Sequence, residues 1–139
     1  MSIQIEWNDF KDIAPRVIRA INHASNLQAQ DLWGNVMENS PQRHGRLAGS
    51  WQLSQISERE YMISTSVAYA AVQNDGSDPY EIFPRNAQVL AFEIGGEMIF
   101  AKRVQHPGIE GTGYIDESIE QTESRVDEFV SIALDSEGL

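Results

Sequence analysis

Three turn-rich stretches divide this chain and limit what it can fold into. They are Ser40-Pro41-Gln42-Arg43-His44-Gly45-Arg46-Leu47, Tyr69-Ala70-Ala71-Val72-Gln73-Asn74-Asp75-Gly76 and Val104-Gln105-His106-Pro107-Gly108. Each pairs a Gly or Pro turn former with charged or aromatic residues that a loop presents outward. No long helix or strand can run through them. The chain is left with a helical segment at each end and short strands between.

The first helical segment carries apolar residues at Phe10, Ile13, Val17, Ile21 and Ala24, then at Leu32, Val36 and Met37. This three-to-four spacing is one helical stripe. Asn8 or Asp9 can cap it. Pro15 lacks an N–H and clashes inside a helix, so a break or restart is expected around Asp12 to Pro15. Ser40-Pro41 ends the segment, because a residue before Pro avoids the helical region. At the other end Ile115, Ile119, Thr122, Val126, Phe129 or Val130, and Ala133 recur at the same spacing, which predicts one amphipathic helix with an acidic back.

The middle of the chain reads as strands. Ser50 to Ile56 partly alternates, and Glu60 to Val67 places Tyr61, Ile63, Thr65 and Val67 on one face, with a turn at Ser57-Glu58-Arg59. Gln88 to Ile94 and Glu97 to Val104 flank Gly95-Gly96, a strong hairpin signal. Ala68 to Gln73 suits a short helical turn. Residues 74–79 and 106–113 read as loops. The order predicts a single α+β domain over 1–139, with an antiparallel sheet of about four strands from two hairpins and the two long helices packed on one face. Open sheet edges are then candidates for subunit contact.

The chain has 139 residues, enough for one core that hides roughly two thirds of the unfolded surface. It has no cysteine, which excludes disulfides, thiolate metal sites and thiol nucleophiles. No secretory signal and no membrane-length apolar run is seen, so a soluble protein made in a cytoplasm is expected. The net charge of −11 opposes free-standing nucleic-acid binding, which needs phosphate neutralisation. An acidic wall suits a passage through which DNA moves without sticking; solubility alone is the competing explanation.

No catalytic set emerges. His23 has no helical metal partner four residues away. His44 and His106 with Asp75 or Asp78 form a conceivable metal set, but at long and unspecific spacing. Gly49-Ser50-Trp51 lacks the flanking glycines of a nucleophile turn. Gly108, Gly111 and Gly113 have no following Lys-Ser or Lys-Thr to cradle phosphate. No enzyme activity and no cofactor is expected. Trp33 and Trp51 read as core or interface anchors.

The motifs in order resemble the tail-completion, or head–tail joining, proteins of long-tailed bacteriophages, a family of minor tail components. The resemblance is carried by Ser40, Pro41, Gly45, Arg46 and Leu47 followed by Ser50-Trp51, then Tyr69-Ala70 ending in Gly76, then Ile82-Phe83-Pro84. Phe100-Ala101-Lys102 leading into His106-Pro107-Gly108, and Tyr114-Ile115, complete it. It covers roughly Ala20 to Phe129 and departs at His44, where the family commonly has Thr. It implies a virion structural protein of the phage neck, made in the bacterial cytoplasm. It would form a ring, expected to be hexameric, around the DNA channel, capping the head-proximal end of the tail or lying between the tail terminator and the head-closure or connector ring.

On this reading Arg43, His44, Arg46, Tyr69, Asp75, Arg85, Lys102 and His106 serve contacts with neighbouring copies and adjacent neck proteins. The basic spots among them would meet an acidic partner face, which fixes register more than it adds affinity. Glu120, Glu123 and Asp127 would face the channel and let DNA pass without specific binding. The alternatives are a tail-terminator or head-closure ring protein and, in a different class, an acidic DNA-mimic or regulatory protein.

Overall fold

A computed structural model describes residues 1–4, 11–42, 45–85 and 87–139. The expected cap at Asn8 or Asp9 and the loop residues Arg43 and His44 lie outside these. The sequence reads as one domain; the contacts divide into two compact units, the first built from 1–68 and 114–139, the second from 69–113.

The first unit is assembled on helix α1, Ile13–Asn39. It begins just after Asp12, so Pro15 falls in the first turn, where its missing N–H leaves no helical bond unmade. A 3-10 turn at Ala48–Ser50 leads into a hairpin of β1 (Gln52–Ser57) and β2 (Glu60–Ser64), with Leu53 opposite Ile63. Two helices, α3 (Tyr114–Glu123) and α4 (Val126–Ser136), close the unit, and both pack on α1.

The α+β class and both hairpins agree with the sequence reading. Three details differ. The last helix is broken at Ser124-Arg125. The Ser124 hydroxyl donates to the Gln121 carbonyl at 2.6 Å, and the Arg125 N–H reaches Thr122 rather than continuing the α ladder. The predicted apolar stripe of α1 is buried only in part: Val36 is buried and Ala24, Leu32 and Met37 are half-buried, while Ile13, Val17 and Ile21 are exposed and the buried Ala20 and Ala29 lie off the stripe. The strands form four two-stranded ladders among the described residues rather than one sheet.

The second unit opens with a short helix α2 (Ala70–Asp75), followed by β3 (Gly76–Ser77), β4 (Tyr80–Ile82), β5 (Leu90–Ile94), β6 (Glu97–Ala101), β7 (Val104–His106) and β8 (Ile109–Glu110). The segments read as loops at 74–79 and 106–113 are therefore paired in part. From Gly76↔Glu110 to Ile82↔Val104 the partners step one for one, so β3–β8 and β4–β7 are a single register interrupted once. That register sets Pro79 opposite Pro107, and neither residue has an N–H to give the ladder. At the far end β5 and β6 turn through Gly95 (φ 59°) and Gly96 (φ 83°). This two-residue loop requires left-handed backbone at both positions.

The base of this ladder is closed by backbone contact. Thr112 N–H and hydroxyl both donate to the Gln73 carbonyl at 2.9 Å, and Ile109 N–H donates to Ser77 Oγ at 3.2 Å. The approach leaves no room for a side chain: a Cβ on Gly76 would lie 2.6 Å from the Ile109 carbonyl oxygen, and one on Gly108 would meet the Ser77 carbonyl. Gly76 (φ 81°) and Gly108 (φ 84°) are also left-handed. Gly76→Ala and Gly108→Ala are each expected to cost at least about 1–3 kcal/mol, with loss of amide protection at Ile109 and Thr112 in hydrogen exchange. Gly49→Ala, in open space at ordinary φ, is expected to stay within about 0.5 kcal/mol.

Candidate functional site

The turn motif is anchored in the first unit by Ser40, Leu47 and Trp51. The Ser40 hydroxyl, 1% exposed, donates to the Val36 carbonyl at 2.5 Å and so ends α1. The same oxygen accepts the Trp51 indole N–H at 3.0 Å. Trp51 meets Tyr114 edge to face, with centroids 6.4 Å apart, and Leu47 is buried. Trp33, half-buried, donates its indole N–H to the Trp51 carbonyl at 3.0 Å. Of the two readings for Trp51, core is the observed one.

A polar seam joins α1 to the last helices. Asn39 donates to Ser118 Oγ at 3.0 Å and to Gln121 at 2.9 Å. One turn back, Asn35 donates to Thr122 Oγ1 at 2.9 Å, and Thr122 donates to Asp31 at 3.0 Å. Arg125 completes the seam with a 2.5 Å contact to Asp31, and its guanidinium lies 5.2 Å from the Phe129 ring centroid. Ser118 and Thr122 are buried while Ile119, expected on the buried stripe, is exposed. Phe129 is buried and Val130 exposed, which resolves the alternative left by spacing.

The acidic residues of these helices divide by cause. Asp116 and Glu117 stand in the first turn of α3, and Asp127 and Glu128 in the first turn of α4, where carboxylates complement the helix dipole. The break at Ser124-Arg125 creates that second N-terminus. Glu120, Glu123 and Asp127 are all exposed.

The expected contact residues are placed as follows. Arg46 is exposed in the first unit. Tyr69 is exposed just before α2, and Asp75 is exposed and accepts from the Asn74 amide at 2.8 Å. Arg85 and Lys102 are exposed on either side of the β5–β6 hairpin. His106 is half-buried; its ring stacks on Tyr80 at 4.7 Å, and its Nδ1 accepts the Gly108 N–H at 3.0 Å. His106 therefore shapes the His-Pro-Gly turn. No hydrogen bond or ion pair joins any two of Arg46, Tyr69, Asp75, Arg85, Lys102 and His106 among the described residues. Arg43 and His44 lie outside them. Among the described residues no group of His, Asp or Glu is arranged to hold a metal, and no helix is long and apolar enough to cross a membrane.

Two exposed apolar surfaces were not foreseen from the sequence. One is a groove of about 240 Å³ between α1 and α4, lined by Val17, Ile21, Ala24, Val126, Val130 and Leu134 among others. The other is the β5–β6 hairpin, where Ile94, Met98, Ile99 and Phe100 are all exposed. Both consist of apolar residues at regular spacing, which sequence reasoning assigns to a core. Compared with protein-family models, with curated proteins and with solved structures, the chain finds no match in any of the three.

The seam orders two substitutions. Thr122→Val removes two side-chain hydrogen bonds, from Asn35 and to Asp31, in a part-buried seam where Asn35 still donates to Asp31 at 3.0 Å; at about 0.5–1.5 kcal/mol per bond it is expected to cost about 1–3 kcal/mol. Arg125→Ala removes a half-exposed ion pair and is expected to cost less, below about 1 kcal/mol. Urea unfolding of both variants checks the order.

Proposed function

We propose that this chain is a structural protein of a tailed-phage neck, which completes or joins the tail at the head–tail interface by forming a ring around the DNA channel. The motif resemblance supplies the kind of assembly. The observation that carries the reading is the balance of apolar surface. Only nine apolar residues are buried among those described, while twenty large ones are exposed on both units. The exposed residues that lie together, Ile94, Met98, Ile99 and Phe100 on the β5–β6 hairpin, form the kind of apolar surface that suits cover by another protein. A part that is completed by its neighbours has this balance; a free-standing monomer does not.

In this role the loops and the exposed residues Arg46, Tyr69, Asp75, Arg85 and Lys102, with Arg43 and His44, meet neighbouring copies and adjacent rings. Glu120, Glu123 and Asp127 face the channel, where like charge keeps passing DNA from adhering. No catalytic step is assigned to the chain. A tail-terminator or head-closure ring has the same requirements and is separated from this reading by which particle halves accumulate. The exposed carboxylates of α3 and α4 also suit an acidic DNA mimic, which needs no ring.

Phage lacking this gene are expected to accumulate filled heads beside separate tails in negative-stain electron microscopy, with joining restored by supplying the protein. Intact infectious particles would remove the neck reading and favour the DNA mimic. Replacing Glu120, Glu123 and Asp127 together by Lys is expected to leave particles assembled and slow DNA exit. Normal ejection kinetics would remove the channel placement.

A further inference from the structure

We infer that the β5–β6 hairpin of one copy docks in the α1–α4 groove of a second copy. The inference rests on the ring reading above and names the contact that would build the ring. Among the described residues β5 and β6 pair with each other and with no third strand. A lone two-stranded hairpin is at best marginally stable in water and needs a surface to pack on. This one is a separate two-stranded ladder, with Met98 60% and Phe100 65% exposed. The groove has the opposite need: Val17, Ile21 and Val130 stay exposed along a trough of apolar lining.

Length and charge favour this pairing. Val17 to Gln28 along the groove covers about 17 Å of helix. Glu97 to Lys102 covers about 17 Å of strand. The groove is polar end to end. Arg16 and Arg19 flank the Val17 end, where both bond Glu137. At the other end, beside Val126, Asp31, Asp127 and Glu128 outnumber Arg125, which pairs with Asp31 and Glu128, so that end is acidic. The hairpin is polar in the same sense: Glu93 and Glu97 stand at its tip, Lys102 and Arg103 at its base. Laid along the groove with its tip toward Arg16 and Arg19, it brings opposite charges together at both ends. Such complementarity fixes orientation and register.

Hairpin and groove are different surfaces, so the contact is heterologous. Each copy has one of each, and successive copies join head to tail. A heterologous contact closes into a ring when its rotation permits. An isologous dimer would need hairpin on hairpin or groove on groove.

The chain has no cysteine, so introduced thiols report a single contact. Met98→Cys and Val130→Cys alter exposed side chains and leave the packed interior intact. Under mild oxidation the full-length double variant is expected to give a ladder of interchain species on non-reducing gels, and each single variant no dimer above background. A link within one chain, or efficient dimers from either single variant, would overturn the inference. So would the absence of any link while light scattering shows the unsubstituted chain in rings; the ring reading would then stand with a different contact. Absence of a link from a chain that is monomeric at every concentration would remove both.

Discussion

The first unit depends on one constraint: every other element in it packs on α1. A single helix of 27 residues has to serve the β1–β2 hairpin, α3 and α4. It does so with small and polar residues where neighbours approach, Ala20 and Ala29 by size, Asp31, Asn35 and Asn39 by hydrogen bonding. The polar seam fixes which residue of α1 meets which residue of α3, as apolar packing alone would not. A one-residue slip would leave several amide and hydroxyl groups unpaired, at about 1–3 kcal/mol each. The larger apolar residues in the first half of the α1 stripe, Ile13, Val17 and Ile21, are left exposed. The groove follows from that choice.

The second unit is organised by backbone rather than by a core. Its ladder keeps one register from Gly76 to Ile82 because glycines allow the chains to touch at the base, and its one interruption is where two prolines face each other. Beyond it the Gly95-Gly96 turn sets the tip. Among the described residues of this unit Ala70 alone of the apolar ones is buried, and main-chain pairing and the Tyr80–His106 stack are its main contacts. A unit built in this way gains most from a partner.

Much of the architecture was legible in the sequence. Helix limits at Pro15 and Ser40-Pro41, both hairpins and the Gly-Gly turn follow from local rules about N–H groups and left-handed backbone. The alternating face of Tyr61 and Ile63 also holds. Legibility failed where a local rule met a tertiary one. Hydrophobic periodicity chose Ile119 over Ser118 because it counts apolar residues and cannot see that Ser118 has Asn39 opposite. It assigned Ile13, Val17 and Ile21 to a core for the same reason. The helix break at Ser124-Arg125 depends on an arginine drawn to Asp31, ninety-four residues away. Turn signals at Asn74 to Pro79 hid a ladder whose partner strand lies near His106. Of the expected contact residues, His106 proved to be built into its own turn, while Arg46, Arg85 and Lys102 stand exposed with no partner role set by the fold alone.

Among the described residues, and each unit taken by itself, the second carries an apolar hairpin that joins no third strand and the first an apolar groove. The central claim is that association between copies covers both at once. Amide exchange followed against protein concentration, alongside the mass in solution, tests it most directly. The account requires protection to rise together in Leu90–Ala101 and in residues 17–28 as the mass increases from that of one chain. Rising mass with both segments still exchanging freely, or protection already complete in the isolated chain, would contradict it.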